Sequence, residues 1–156
     1  MFFRTQSRGF TLLELLIVIA AFGLIVALGA MSLTSARARM RDAQRISDMN
    51  VMRSALNLYW LDKATYPINQ EGVRLHEAGT GSDVFTSDGF VPAESAKPPV
   101  FLESVPVGPK SAEYYVYKGS ENGYSIRFVT ERDTTLGAAN VYYLHSTGID
   151  QEDVAR

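Results

Sequence analysis

The chain has 156 residues, of which 21% are charged, and its formal net charge is −2. That balance gives no overall attraction to nucleic acid. The absence of cysteine excludes disulfides, thiolate metal sites and cysteine nucleophiles. Once an apolar N-terminal segment is set aside, the length leaves room for one modest domain.

That apolar segment runs from Phe10 to Thr34 and contains one charged residue, Glu14. With a helical rise of ~1.5 Å per residue it would be about 37 Å long, enough to cross a hydrocarbon core of ~30 Å. We therefore predict a transmembrane helix over 10–34. An acid inside an apolar medium is costly, so Glu14 is expected to have a function and a partner.

The residues around the start of this helix form a motif. Arg8, Gly9 and Phe10 are followed by Thr-Leu-Leu-Glu at 11–14 and then by a long uncharged run. The sequence resembles the start of type IV prepilins and type II secretion pseudopilins. The resemblance implies a leader peptide at 1–9, cleavage after Gly9 by a prepilin peptidase, and N-methylation of Phe10. It also implies that 10–34 is the polymerisation helix and that Glu14 is the assembly residue.

The same resemblance implies partners and a location. The precursor would lie in the inner membrane with its leader in the cytoplasm, and the mature chain would join an extracellular or periplasmic filament. The implied partners are further copies of the chain, other pilins, the prepilin peptidase, an inner-membrane platform protein and a motor ATPase. We find no nucleophile–base pair, phosphate loop or carboxylate dyad, so we expect no catalytic residues, no enzymatic activity and no cofactor. The sequence gives no direct evidence for a nucleic-acid partner.

Two further features of the N-terminal region bear on this interpretation: the length of its apolar core and the charge that flanks it. A conventional secretory signal cut near Ala36-Arg37-Ala38 is an alternative, but its apolar core would be about twice the usual ~7–15 residues. The positive-inside rule does not support the implied orientation, because two arginines precede the apolar segment and four follow it: Arg4 and Arg8, then Arg37, Arg39, Arg41 and Arg45.

Residues 35–65 are predicted to continue the same helix as an amphipathic half. Apolar positions recur at three- and four-residue steps and predict one buried stripe: Ile46, Met49, Met52, Leu56 and Tyr59 or Trp60. Charged residues occupy much of the remaining surface: Arg41, Asp42, Arg45, Asp48 and Arg53. Pro67 follows, and the residue before a proline disfavours helical geometry, so the helix should end by then. The segment has no sustained apolar heptad repeat, which argues against a coiled coil.

Two glycines lie inside the apolar helix, Gly23 and Gly29. Related pilins often carry a proline deep in this segment, where the chain has Met31. Glycine weakens a helix interior by ~1 kcal/mol relative to alanine, so the helix could loosen between the two positions. Close approach of a neighbouring helix is the alternative use. The sequence does not decide between flexibility and packing.

Residues 66–156 are predicted to form a globular head. A connector at 66–112 is rich in glycine, serine and proline, so we expect turns and little sheet. Residues 113–147 predict an antiparallel sheet of about three strands, because a hairpin pattern is followed by a third β-prone run. The acidic tail, 148–156, is expected to be exposed. The predicted fold class is therefore α+β and pilin-like: one long helix packed on a small antiparallel sheet.

Two further kinds of site were considered. The resemblance implies a calcium ion in the head of major pseudopilins, and five acids could supply oxygens: Glu131, Asp133, Asp150, Glu152 and Asp153. None has a recognisable calcium-loop spacing, so we predict no metal site. Five tyrosines could form an adhesive or base-stacking patch: Tyr114, Tyr115, Tyr117, Tyr142 and Tyr143. Without a basic groove beside them, a half-buried sheet face is the preferred interpretation.

The functional prediction is a structural subunit of a type IV pilus-like surface filament. A major-type pseudopilin of a type II secretion system is the first alternative, and a DNA-uptake pilus subunit is the next. A monomeric, membrane-anchored binding domain is the alternative from another class. Gly9 and Glu14 argue against that last alternative, because a simple anchor needs neither.

Overall fold

The computed structural model describes residues 9–156. The rest of the predicted leader, with its two arginines, lies outside the described residues. The chain divides into two units, residues 1–37 and 38–156. One helix, α1 (Leu12–Lys63), contributes residues to both units. This confirms the prediction of a single helix of more than 50 residues.

The end of α1 is set by its backbone. Ala64 adopts a positive φ of 54°, and its N–H still donates to the carbonyl oxygen of Trp60 at 2.8 Å. A residue in the left-handed region commonly terminates a helix. Pro67 then keeps the following chain out of helical geometry.

Eight strands follow α1. They are β1 (Asn69–Arg74), β2 (Val84–Thr86), β3 (Gly89–Val91), β4 (Val100–Leu102), β5 (Val116–Gly119), β6 (Tyr124–Val129), β7 (Val141–Leu144) and β8 (Ile149–Asp150), with a 3₁₀ turn at Ala93–Ser95 between β3 and β4. The strands form a five-stranded sheet in the order β1-β5-β6-β7-β8 and a three-stranded sheet in the order β3-β2-β4. All pairings are antiparallel.

The predicted three strands are confirmed as the centre of the larger sheet. The hairpin pairs Val116 with Arg127 and Gly119 with Tyr124, and β7 pairs with the other edge of β6. The first of these three strands, β5, begins at Val116 rather than at residue 113. It also continues past residue 147, because β8 in the acidic tail pairs with β7.

The prediction of little sheet in the connector was wrong. Residues 66–112 contain β1, which pairs with β5, and the whole of the smaller sheet. The three strands of the smaller sheet have three residues each, too few to show an alternating pattern. β1 reads NQEGVR, a polar sequence that becomes a strand through its pairing with β5.

The core lies between the second half of α1 and the sheets. The predicted stripe is confirmed at four positions: Met49, Met52, Leu56 and Tyr59 are buried, whereas Ile46 is half-buried and Trp60 is exposed. Tyr59 stacks on Phe85 of β2, with ring centroids 5.2 Å apart. The stripe extends toward the N-terminus in unbroken steps of four and three residues, through Arg45, Asp42 and Ala38. Asp42 and Arg45 therefore lie on the buried face, not on the polar surface where the sequence pattern placed them.

Candidate assembly site

The start of α1 is closed by a reciprocal pair of hydrogen bonds. The Glu14 N–H donates to Thr11 Oγ1 at 3.2 Å, and Glu14 Oε2 accepts from the Thr11 N–H at 3.0 Å. The Thr11 hydroxyl also donates to Glu14 Oε2, at 3.1 Å. This is a capping box, in which a threonine and a glutamate three residues later satisfy helix-terminal N–H groups.

The capping box fixes where the Glu14 carboxylate lies. It is exposed, sits in the first turn of α1 and bonds to Thr11, the neighbour of Phe10. A carboxylate at this end of a helix is stabilised by the macrodipole. The hydrogen bonds to Thr11 use one carboxylate oxygen, Oε2. The site therefore places a negative charge next to the residue that would become the N-terminus after cleavage behind Gly9.

The apolar surface of the first half of α1 is not covered by the described chain. Every large apolar side chain from Phe10 to Leu33 is more than half exposed. By length and composition, this half is long and apolar enough to cross a membrane, and none of it is buried. Contiguous apolar surface of this extent marks a membrane or protein interaction site.

The glycines of this segment are not needed for packing within the chain. A Cβ built on Gly9, Gly23 or Gly29 would meet no atom within 4 Å. α1 is unbroken through Gly23 and Gly29. A requirement for glycine at any of these positions would therefore come from another molecule or from a different state of the helix.

In the second half of α1, charged side chains tie the helix to the head. We call the following six residues the ion-pair cluster: Arg41, Asp42 and Arg45 of α1, Lys110 and Glu113 before β5, and Glu131 after β6.

Arg45 is the centre of the ion-pair cluster and is 1% exposed. Its Nε and Nη2 donate to the two carboxylate oxygens of Glu113 at 2.6 and 2.7 Å. Its Nη1 donates to Asp42 Oδ1 at 2.7 Å and lies 2.8 Å from Glu131 Oε1. Burial by itself would lower the pKa of Arg45, but the hydrogen bonds to Glu113 and Glu131 outweigh it and raise that pKa.

Glu131 is held by three cations. Arg41 Nε and Nη2 donate to its carboxylate at 2.8 and 2.6 Å, Lys110 Nζ lies at 2.8 Å, and Arg45 approaches as described. The hydrogen bond from Arg41 is the main reason that the pKa of Glu131 lies well below its ordinary value. Asp42 adds backbone contacts, accepting from the N–H groups of Glu131 and Arg132, each at 2.9 Å. The cluster thus fastens the β6–β7 loop, residues 130–140, to α1.

Of the remaining candidate residues, Glu131 belongs to the ion-pair cluster and the others lie apart from these sites. The tyrosines follow the preferred interpretation, because Tyr115, Tyr117 and Tyr142 are buried and Tyr114 and Tyr143 are half-buried. The acids considered for calcium do not converge: within residues 9–156 no group of three or more His, Cys, Asp or Glu side chains forms a metal site.

Two histidine–carboxylate pairs are present in the described region: His76 with Asp83, at 3.9 Å, and the closer pair of His145 with Asp150. His145 Nε2 lies 3.1 Å from Asp150 Oδ1, and His145 Nδ1 lies 3.1 Å from the carbonyl oxygen of Tyr124. His145 is fully buried. Both ring nitrogens therefore have partners inside the chain, and neither reaches a substrate as a general base would.

Sequence reasoning missed two of these features for different reasons. The capping box has a local signature, a threonine three residues before a glutamate at the start of an apolar run, and could have been identified. The ion-pair cluster has no local signature, since Arg45 and Glu113 are 68 positions apart.

Comparison with known proteins shows what this chain is similar to. The family model described as the prokaryotic N-terminal methylation motif matches residues 4–30. Three curated relatives are each named type II secretion system core protein G. That of Klebsiella michiganensis is 26% identical over 136 residues, covering 86% of this chain and 89% of the relative. That of Dickeya chrysanthemi is 26% identical over 144 residues, covering 87% and 88%. That of Aeromonas hydrophila is 34% identical over 70 residues, covering 45% and 49%. No solved structure matches the chain significantly.

The similarities extend over both parts of the chain. The methylation motif covers the apolar start of α1, and the longer alignments take in most of the head. The fold agrees with the pilin-like architecture that the sequence predicted, one long N-terminal helix packed on antiparallel sheet. The chain therefore resembles type IV pilins and type II secretion pseudopilins, through its N-terminal motif and through its similarity to type II secretion core protein G over most of its length.

Proposed function

We propose that the protein is a major-type pseudopilin of a type II secretion system, a filament subunit with no reaction of its own. The observation that carries this proposal is the similarity to type II secretion core protein G over 86% of the chain and 89% of the relative. The sequence-based ranking had placed a type IV pilus subunit first. The curated relatives favour the alternative, so we reverse that order.

Processing is the first step of the proposal. The prepilin peptidase cuts after Gly9 and the new N-terminus, Phe10, is methylated. Both residues are exposed and precede the first turn of α1, so the bond between them is open to another protein. A Cβ at Gly9 would meet nothing in the described chain, so the expected demand for a very small side chain there would be imposed by the peptidase and not by the fold.

Assembly is the second step. The exposed apolar surface of 10–34 lies in the inner membrane before assembly and packs on neighbouring subunits in the filament. There the charged amine of Phe10 enters an apolar medium, where an unpaired charge is expensive. The Glu14 carboxylate of an adjacent subunit removes that cost. Glu14 is suited to this role because the capping box holds its charge at the start of α1.

The location and partners follow from this function. The leader faces the cytoplasm, the head lies in the periplasm, and the filament contains further copies of the chain and other pilins. The platform protein and motor ATPase of the secretion machinery drive the polymer, because the subunit itself has no site for ATP chemistry among the described residues.

Processing is tested by mass spectrometry of the N-terminus. Wild-type protein should begin at methylated Phe10, Gly9→Val should remain an uncut precursor, and Gly9→Ala should still be cut because the side chain stays very small. Wild-type protein that always retains residues 1–9 would contradict the proposal.

Assembly is tested with Glu14→Ala. We expect normal cutting and membrane insertion, and a loss of filaments from sheared cell fractions by roughly tenfold or more, the effect of about 1.4 kcal/mol per subunit contact. Glu71→Ala, which removes an exposed acid from β1, is the matched control. Normal filament yield from Glu14→Ala would contradict charge pairing and leave the cleavage assignment intact.

The choice of filament is tested by deleting the gene in its own host. A secretion pseudopilin predicts the loss of secreted proteins from the medium while surface pili remain. The loss of surface pili with normal secretion would favour the type IV pilus subunit instead.

A further inference from the structure

The resemblance implied a calcium ion in the head, and two of the five acids considered for it, Glu131 and Asp133, lie in the β6–β7 loop. Calcium takes six to eight oxygen ligands from carboxylates, carbonyls and water. A loop that needs the ion would have carboxylates directed toward one another, with no cation already between them. Among the described residues, none of the five candidate acids belongs to a group of three or more that could hold a metal ion.

Each candidate acid already has a partner within the chain. Glu131 binds Arg41, Arg45 and Lys110. Asp133 Oδ1 accepts from the Ala139 N–H at 3.4 Å. The remaining three bind cations elsewhere: Asp150 binds Arg156 and lies against His145, Glu152 binds Arg156, and Asp153 binds Lys118. The residues present do not fit a calcium ion.

The charge balance gives a second reason. The ion-pair cluster contains three cations, Arg41, Arg45 and Lys110, and three carboxylates, Asp42, Glu113 and Glu131. It is therefore formally neutral, and a divalent cation would leave an excess of two positive charges in a partly buried site. The surface cavity beside Glu131 is lined by two arginines, Arg39 and Arg132, together with Asp133, so its two acids are matched by two cations.

The loop is organised from within as well. The Thr130 N–H donates to the Asn140 carbonyl at 2.9 Å, and the Asn140 N–H donates to Thr130 Oγ1 at 3.1 Å, which closes the base of the loop. Thr134 and Gly137 form a bridge near its tip. Asp42 binds two of its backbone N–H groups. These contacts use the chain's own groups where a metal-dependent loop would use an ion.

We infer that in this subunit the cluster cations Arg41, Arg45 and Lys110 replace a structural calcium ion, so that the head folds and stays folded without calcium. Arginine suits this use because its planar guanidinium bonds carboxylates in pairs and keeps its charge when buried. The inference concerns the stability of the head and does not depend on which filament the subunit forms.

The test uses full-length protein in detergent and follows its one tryptophan. Trp60 lies against Tyr66, with ring centroids 4.7 Å apart, so its fluorescence reports on the head. Melting curves are recorded in millimolar calcium chloride and in millimolar EDTA. A structural ion at saturating concentration would raise the midpoint by roughly 5 °C or more. We expect the two midpoints to agree within about 1 °C, and a calcium-dependent rise of several degrees would overturn the inference.

Variants locate the effect in the cluster. Arg41→Gln removes one cation from Glu131 without touching the fully buried Arg45, and we expect it to lower the midpoint equally in calcium and in EDTA. Glu94→Gln removes an exposed acid and should leave the midpoint unchanged. If Arg41→Gln has the same melting midpoint as the wild type, the cluster cations do not stabilise the head and the inference fails. It also fails if the wild type has a higher midpoint in calcium than in EDTA.

Discussion

The two halves of α1 use their side chains in opposite ways. In residues 12–34 the helix is almost wholly apolar, yet every large side chain is more than half exposed. In residues 38–59 the sequence is mixed, yet one face is fully buried and includes Asp42 and Arg45. Apolar content therefore does not identify the buried half of this helix. What distinguishes the halves is contact: the second half packs on the sheets, whereas the apolar side chains of the first half are not covered by the described residues.

This difference predicts two separable classes of variant. Changes in the second half should lower the free energy of unfolding of the head, because they remove contacts within the chain. Changes in the first half should leave that free energy nearly unchanged and act on membrane insertion or filament assembly. The predictions below probe this division, beginning with the largest effect.

Leu56→Asp should unfold the head. Leu56 is fully buried in the stripe against the sheets, and a charge there adds desolvation to a cavity, for a cost of about 4 kcal/mol or more. Urea unfolding followed by Trp60 fluorescence measures it. Leu58→Asp is the matched control, because Leu58 is 50% exposed on the same helix. An unfolding curve for Leu56→Asp like that of its control would refute the helix-on-sheet core.

Arg45→Met should destabilise the head by about 3–5 kcal/mol, because it leaves one buried carboxylate and two half-buried ones without their shared cation. Asp42 is itself almost fully buried and would lose a hydrogen bond of 2.7 Å. The control is Arg37→Met, which removes an exposed arginine from the same helix. Equal unfolding free energies for the two variants would show that Arg45 is not a fastening between helix and head.

Acid should weaken the same contact through Glu131. The pKa of folded Glu131 lies below its ordinary value of 4.5, so at low pH the unfolded chain takes up a proton that the folded chain does not. The contribution of Glu131 to the free energy of unfolding is complete above the ordinary pKa of 4.5 and is lost as the pH falls from there toward the lower pKa of the folded state.

We therefore expect the free energy of unfolding to fall between about pH 5 and pH 3, and to fall less steeply in Glu131→Gln, which has no proton to gain at this position. Denaturant curves at each pH measure it. Parallel pH profiles for the wild type and Glu131→Gln would argue against a stabilising charge on Glu131.

Leu24→Ala should have the smallest effect on the head. Leu24 is 62% exposed in the first half of α1, so the free energy of unfolding should change by no more than about 0.5 kcal/mol. Filament yield in sheared fractions should fall, because in the proposed filament this side chain would contact neighbouring subunits. A loss of stability of about 2–5 kcal/mol, as for buried leucines, would show that the apolar half packs on its own chain.

Local pattern was sufficient for much of this architecture. The cleavage motif, the apolar run and the capping box all lie within residues 8–34 and can be read without any distant partner. The three- and four-residue steps from Met49 to Tyr59 predict a buried face because a helix places such positions on one side. The β5–β6 hairpin is likewise local, with two alternating runs around a short glycine-containing turn.

Only the tertiary structure decided the rest, because the deciding partners are distant in sequence. β1 is polar and becomes a strand by pairing with β5, some 40 positions away. Asp42 and Arg45 read as surface residues. The burial of Arg45 is possible because Glu113 and Glu131, 68 and about 90 positions away, supply opposite charge. Asp42 is balanced by Arg45 and by the backbone N–H groups of Glu131 and Arg132. A buried charge is tolerated when the fold places an opposite charge or a hydrogen-bond partner beside it. The spacing of residues along the chain does not reveal that partner, because it is distant in sequence.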